Sequence, residues 1–159
     1  MKKTDLAYTA GIIDGEGWIR IHNRKIKNGN QNFALQVGVG MTNEWIINWL
    51  HFSFGGSVLQ RNQTGNRKIR YDWALATRQA SNFLKLVLPY LKIKRPQAEL
   101  ALRFQSRRKY RGNPNWKDSP KRTMSDEDVA LDISDKILMH KYNKRGIAED
   151  VIQKEAGSN

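Results

Sequence analysis

Two carboxylates, Asp14 and Glu16, alternate with glycines in the string Gly11-Ile12-Ile13-Asp14-Gly15-Glu16-Gly17. The residues before them predict a helix. Thr4 or Asp5 suits its N-cap, and Leu6, Ala10 and Ile13 recur at i, i+4 and i+7 on one apolar face. Gly15 and Gly17 then end it, since glycine tolerates the left-handed conformation of a helix C-cap. Both acids therefore fall at a helix C-terminus, whose partial negative charge disfavours each by about a few tenths of a kcal/mol. In isolation such a pair reads as solvated acids in a turn. The alternative is a site with a compensating cation, and a few carboxylates with water are the usual ligands of a hard divalent ion. Gly11 and Gly15, four residues apart beside the apolar face, would let a second backbone approach closely.

The elements that must position this pair follow from periodicity. Trp18 to Lys25 alternates, with Ile19 and Ile21 on one side and Arg20, His22 and Arg24 on the other, which predicts a half-buried strand with a cationic outer face. A turn at Lys27 to Asn30 leads into a second strand. Its inner face is Phe33, Leu35, Val37, Val39 and Met41; its outer face is Asn32, Ala34, Gln36, Gly38 and Gly40. Residues 43–54 read as a helix with Trp45, Ile46, Trp49, Leu50 and Phe54 at helical spacing, which places Trp45 and Trp49 in the core, and Gly55-Gly56 stops it. Ser57 to Gln63 and Arg67 to Thr77 are two further strands around a turn at Thr64-Gly65-Asn66. In the last, Ile69, Tyr71, Trp73 and Leu75 face inward, and Lys68, Arg70, Asp72 and Ala74 outward. Gln60, Arg61 and Gln63 are assigned to the same outer face, although alternation leaves the parity of their strand open. Helices follow over 79–88 and from Pro96 to about Tyr110. After a loop over Gly112 to Thr123, Ser125 and Asp128 start a helix to about Tyr142, and a short terminal helix spans Ile147 to Gln153. The fold class is α+β in the order αββαββα with a helical tail. Residues 1–112 form the core, 113–125 a linker and 126–159 a C-terminal helical extension.

Charge narrows the function. The 159 residues include 28 Lys and Arg against 15 Asp and Glu, a net charge of +13. Between Trp18 and Lys117, 19 basic residues meet three acids (Glu44, Asp72, Glu99), whereas from Asp118 onward seven basic residues meet nine acids. A basic field of this size over the first two-thirds of a chain is a footprint for a polyanion. The outer face would carry Arg20, His22, Arg24, Gln36, Gln60, Arg61, Gln63, Lys68, Arg70 and Asp72, and Lys25 at the end of the first strand is expected to bind DNA with them. Such a ribbon suits base edges in a major groove, with Arg pairing to guanine, Gln to adenine and carboxylates to cytosine. Among five tryptophans only Trp18 and Trp116 escape the predicted core, so stacking on single strands is the lesser expectation.

Other classes drop out. With no cysteine there are no disulfides or thiolate metal sites, and His22, His51 and His140 lack zinc-binding spacing. No phosphate-cradling loop or dinucleotide fingerprint occurs. No apolar run approaches the roughly 20 residues of a membrane span, and Met1-Lys2-Lys3 leads into polar residues rather than a signal sequence. The expected setting is intracellular, in cytoplasm or nucleoid or an organelle, with no membrane partner.

Thr9 to Gly17 resembles the nine-residue signature of LAGLIDADG homing endonucleases, keeping Ala10, Gly11, Ile13, Asp14 and Gly17 or close equivalents. Thr9 stands where Leu is usual, and Glu16 replaces the more common final Asp while keeping its charge. Pro89-Tyr90-Leu91-Lys92-Ile93-Lys94-Arg95-Pro96-Gln97-Ala98 also resembles a stretch after the second sheet section of these enzymes. The likeness spans residues 5–110 and a tail segment ending Asn143-Lys144-Arg145-Gly146. The resemblance implies a homing-endonuclease fold with a saddle-shaped antiparallel DNA-binding sheet. It further implies that Glu16 binds the catalytic metal with Asp14 and Gly15 beside it. Lys94 is implied to lie near the attacking water, and Thr42 or Asn43 to line the site.

Phosphodiester hydrolysis needs an activated water, a Lewis acid on the phosphate and stabilisation of the leaving oxygen, so the expected cofactor is Mg²⁺ (or Mn²⁺). One motif offers too few acids for two strands, and no second G-x-x-D-x-[DE]-G occurs. A two-fold homodimer packed through Ala10, Gly11, Ile12 and Gly15 is the economical solution, and the resemblance implies the same for single-motif chains. The expected function is intron-encoded, site-specific cleavage of double-stranded DNA at a long pseudo-palindromic site, leaving short 3′ overhangs. Two alternatives share the scaffold: a maturase holding structured intron RNA, and a regulator that binds duplex DNA without cutting.

Overall fold

Alternation in the strands decides which side of the sheet the helices cover. In the computed structural model the described residues are 1–25, 31–62, 64–65, 68–108 and 125–144. Their order is α1 (Lys3–Glu16), β1 (Gly17–Lys25), β2 (Gln31–Met41), α2 (Glu44–Phe54), β3 (Ser57–Arg61), β4 (Arg70–Ala76), α3 (Thr77–Val87), a 3₁₀ turn (Leu88–Tyr90), α4 (Arg95–Ser106) and α5 (Asp126–Tyr142). The strands form one antiparallel sheet in the order β1-β2-β4-β3. Ile19, Ile21, Phe33, Leu35, Val37, Val39, Trp73 and Leu75 fill its inner face, and α1, α2, α3 and α4 pack there through Ala10, Ile13, Ile47, Leu50, Phe83, Leu84, Ala101 and Phe104. Each fully buried Ile, Leu, Val or Phe side chain among them contributes about 1.5–3 kcal/mol. The α+β class and the predicted inner faces of β1 and β2 hold.

The helix after the loop joins the same core. Ser125 caps α5 by accepting from the Asp128 N–H, and Met139 is buried. Asp132 and Asp135, both buried, pair with Arg103 of α4 and with Arg107 and Arg108 just past its end. At the far end the Asn143 side-chain amide donates to the Ile19 carbonyl at 2.9 Å, tying the turn after α5 to β1. The predicted helix over Ile147 to Gln153, the loop over Gly112 to Thr123 and Trp116 lie outside the described residues.

Several boundaries and faces differ from the sequence-based expectation. α1 starts at Lys3, so neither Thr4 nor Asp5 is its N-cap; Asp5 instead accepts from the Lys2 N–H at 3.1 Å from inside the first turn. Neither Gly15 nor Gly17 adopts positive φ. α1 runs through Gly15, and Gly17, at φ −80°, passes directly into β1. Gly17 is needed for space: a Cβ there would lie 2.7 Å from the Cα and carbonyl oxygen of Ile13. Positive φ appears after α2, at Gly55 (73°) and Gly56 (92°). Trp45 is 69% exposed, because Ile47 and Leu50 form the buried stripe of α2. β4 begins at Arg70, leaving Lys68 and a substantially exposed Ile69 ahead of the strand.

Candidate functional site

The end of α1 is where chemistry-bearing groups converge. Ala10 and Ile13 anchor the helix in the core, and Thr9 is also buried, with its hydroxyl donating to the Asp5 carbonyl at 2.7 Å. That local bond explains how a polar residue is tolerated where an aliphatic one would fit. Ala10 is fully buried within its own fold and cannot contribute to a dimer seam, which corrects its assignment there. The solvent-facing side of α1 carries Tyr8, Gly11 and Gly15, with Ile12 half-buried beside them. A Cβ at Gly11 or Gly15 would meet nothing within 4 Å.

The two acids have separate environments. Asp14 reaches across to the turn before α4: one carboxylate oxygen accepts from the Lys92 N–H at 2.7 Å, the other from the Lys94 N–H at 2.8 Å. Lys94 returns the contact. Its ammonium donates to the carbonyl of Ile13 at 2.9 Å and to that of Asp14. Lys94 is therefore the cation that compensates the helix terminus, adding a charged donor to the Ile13 carbonyl, which also accepts from the Gly17 N–H, and to the Asp14 carbonyl. Burial lowers its pKa, against the raising effect of the Asp14 and Glu16 charges. Glu16 is exposed, and its carboxylate accepts no hydrogen bond among the described residues.

After β2, Thr42 is exposed and Asn43 is the N-cap of α2, its side-chain oxygen accepting from the Ile46 N–H at 3.2 Å. Asn43 thus has a structural task that its type predicts.

The outer face of the sheet gathers most of the predicted polar residues. Arg20 and Gln36 are register partners, and Arg20 donates from Nε (3.0 Å) and Nη2 (2.6 Å) to the Gln36 side-chain oxygen. The Arg20 guanidinium lies 4.3 Å from the centroid of the Trp18 ring. Asp72 is bridged by Arg61 and Arg70, the latter at 2.7 Å. Burial alone would raise its carboxyl, but hydrogen bonds and charge from the two arginines outweigh that and hold it below the ordinary carboxylate range. His22 is half-buried and Lys68 exposed.

Pairing settles the parity of β3. Arg61 faces Arg70 and joins the outer face, together with Ser57 and Leu59; Gln60 faces Tyr71 and so takes the helix-side parity, correcting its assignment. Arg24 and Lys25 belong to β1 by backbone, but their side chains, like Gln63, lie outside the described residues. Sequence reasoning missed Gly38 and Gly40 as working positions. A Cβ at Gly38 would sit 2.4 Å from the Trp18 ring, and one at Gly40 2.1 Å from Arg70 Nη2. Glycine inside a strand signals such close approach, so the clue was present.

Three solved structures place this architecture. Homing endonuclease I-CvuI, solved with its DNA target in the presence of Ca, matches at a TM-score of 0.69 and 20% identity, over 97% of this chain and 95% of that one. The archaeal intron-encoded homing endonuclease I-Vdi141I, complexed with DNA, matches at 0.67 and 12% identity over 92% and 88%. The LAGLIDADG homing endonuclease I-GzeII, in complex with a DNA target, matches at 0.59 and 15% identity, over 94% of this chain but 48% of that one. No protein-family profile matches the sequence, and no curated protein does. The chain has the fold of the LAGLIDADG homing endonucleases.

Proposed function

We propose that this protein is a divalent-metal-dependent, site-specific endonuclease of double-stranded DNA that acts as a homodimer. The observation that carries the reading is Glu16, an exposed carboxylate without a hydrogen-bond partner among the described residues, set at the end of a helix whose outer side carries the open Gly11 and Gly15. The residues fit a hard cation that keeps most of its water. Glu16 and the Gly15 backbone would hold it, while no group of three or more acidic, histidine or cysteine side chains gathers among the described residues. When bound, Mg²⁺ supplies Lewis-acid charge at the phosphate and favours deprotonation of the attacking water. Asp14 fixes the α4 turn against α1, and Lys94 keeps positive charge beside the reacting phosphate while tying down the helix end.

One exposed carboxylate at the end of α1 favours two copies. Tyr8 meets Trp49 edge to face at 5.7 Å, linking the glycine side of α1 to α2, where Trp45 and Phe52 stand 69% and 92% exposed. Large apolar side chains beside an open helix face suit a second copy of the same surface. The two Glu16 residues would flank the dyad, each serving one strand. The sheet's cationic outer face then tracks a long duplex site.

The test is a nicking assay on pooled duplex targets, with and without Mg²⁺. Metal-dependent breaks in both strands are expected; binding without cutting would favour the regulator reading, and preference for structured RNA the maturase one. For assembly, sedimentation at micromolar concentration should show a dimer in the parent and a monomer in Gly11→Leu, with the variant still folded by circular dichroism. A parent that stays monomeric with and without DNA removes the helix-pair arrangement.

A further inference from the structure

We propose that the outer face reads guanine, because its polar clusters present hydrogen-bond donors and keep their acceptors occupied; this rests on the duplex-DNA reading above. The key group is the Gln36 side-chain oxygen. A glutamine reads adenine by accepting from N6–H while donating to N7, which requires that oxygen to be free. Here it already takes two donors from Arg20, at 3.0 and 2.6 Å, which fills its lone pairs. What remains available is the Gln36 amide and the Nη1 side of Arg20, which have no partner among the described residues.

The arrangement is held from beneath. Trp18 lies across β2 where Gly38 leaves room, and its ring supports the Arg20 guanidinium at 4.3 Å. A stacked, hydrogen-bonded guanidinium keeps its plane, so it meets a base edge already oriented.

The second cluster has the same character. Asp72 sits low on the face, its side chain 17% exposed, while the arginines that bridge it are 58% (Arg61) and 42% (Arg70) exposed. Gly40 lets the Arg70 guanidinium fold over β2. The groups offered outward are again guanidinium N–H, and the carboxylate that could accept from cytosine is turned to its neighbours. Guanine offers two major-groove acceptors, N7 and O6, whereas adenine and cytosine each present an amino donor that such a surface leaves unpaired.

The test selects duplexes from a randomised pool with the full-length protein in Ca²⁺, in parallel with Arg20→Leu. Arg20 is exposed, so both proteins should melt together. The base pair whose preference differs between them should be G·C for the parent, favoured over A·T by about tenfold. In the variant it should become A·T, because Gln36 regains its acceptor. If that pair is A·T in the parent, if the variant gains no A·T preference, or if no pair differs, donor-only reading is overturned while DNA binding stands. If the parent enriches no duplex at all, the duplex-DNA reading itself fails.

Discussion

Glu16→Gln is expected to cut Mg²⁺-dependent strand cleavage by about a thousandfold or more while leaving duplex affinity and melting temperature at the parent's level. The size follows from losing the charged ligand of a Lewis acid that supplies several kcal/mol of transition-state stabilisation, each 1.36 kcal/mol being about tenfold in rate. The selectivity follows from the environment. Glu16 is exposed and makes no hydrogen bond among the described residues, so an isosteric amide disturbs no packing and leaves no group unsatisfied. Single-turnover cleavage and a binding isotherm on the same duplex measure the two quantities. Undiminished cleavage by the variant would falsify the assignment of Glu16 as the metal ligand.

Asp14→Asn should fail in the opposite order, folding first. Both carboxylate oxygens accept backbone N–H groups, from Lys92 and Lys94. An asparagine keeps one oxygen and turns an NH₂ toward the other donor, leaving a part-buried N–H facing an N–H. The cost of such a loss is about 2 kcal/mol. For a chain of this size that lowers the melting temperature by on the order of 6 °C. Thermal unfolding by circular dichroism reads it directly. A variant that melts with the parent yet no longer cuts would move Asp14 from structure to chemistry, the reverse of what its contacts indicate.

The contrast between these two acids shows what a sequence carries and what it omits. Both lie in one short motif, and nothing local separates them. Asp14 is distinguished by partners about eighty positions downstream, which only the tertiary fold supplies. β1 and β2 were legible because their apolar and polar residues alternate cleanly, and a period of two names a face without further information. α2 was harder. Glu44, Asn48 and His51 mark only a narrow polar stripe, and the large apolar Trp45 and Phe52 lie beside it, so helical spacing groups these aromatics with the core although they face out. In β3 the apolar residues Val58 and Leu59 are adjacent, and only pairing with β4 sends Gln60 and Arg61 to opposite sides. Gly17 was recognised as a boundary for the wrong reason, because the sequence shows that a glycine is required but not whether the need is torsional or steric. The composition of the outer face was readable; its internal pairing of Arg20 with Gln36, and of Asp72 with Arg61 and Arg70, was not.

The joint between Asp14 and the Lys92 to Lys94 turn also sets an order of events during synthesis. α1 emerges from the ribosome well before the α4 turn, carrying Glu16 with it, and the partners that fix its end are encoded 78 to 80 residues later. Closing so long a segment is entropically slow compared with forming the helix or the β1–β2 hairpin. A nascent chain ending before Lys94 therefore holds the acidic motif without its clamp, and competence to cut should arrive only after both hairpins have been made. For the proposed endonuclease, late assembly of this kind acts as a built-in delay, so that the reactive end of the molecule matures together with the surface that decides where it is used.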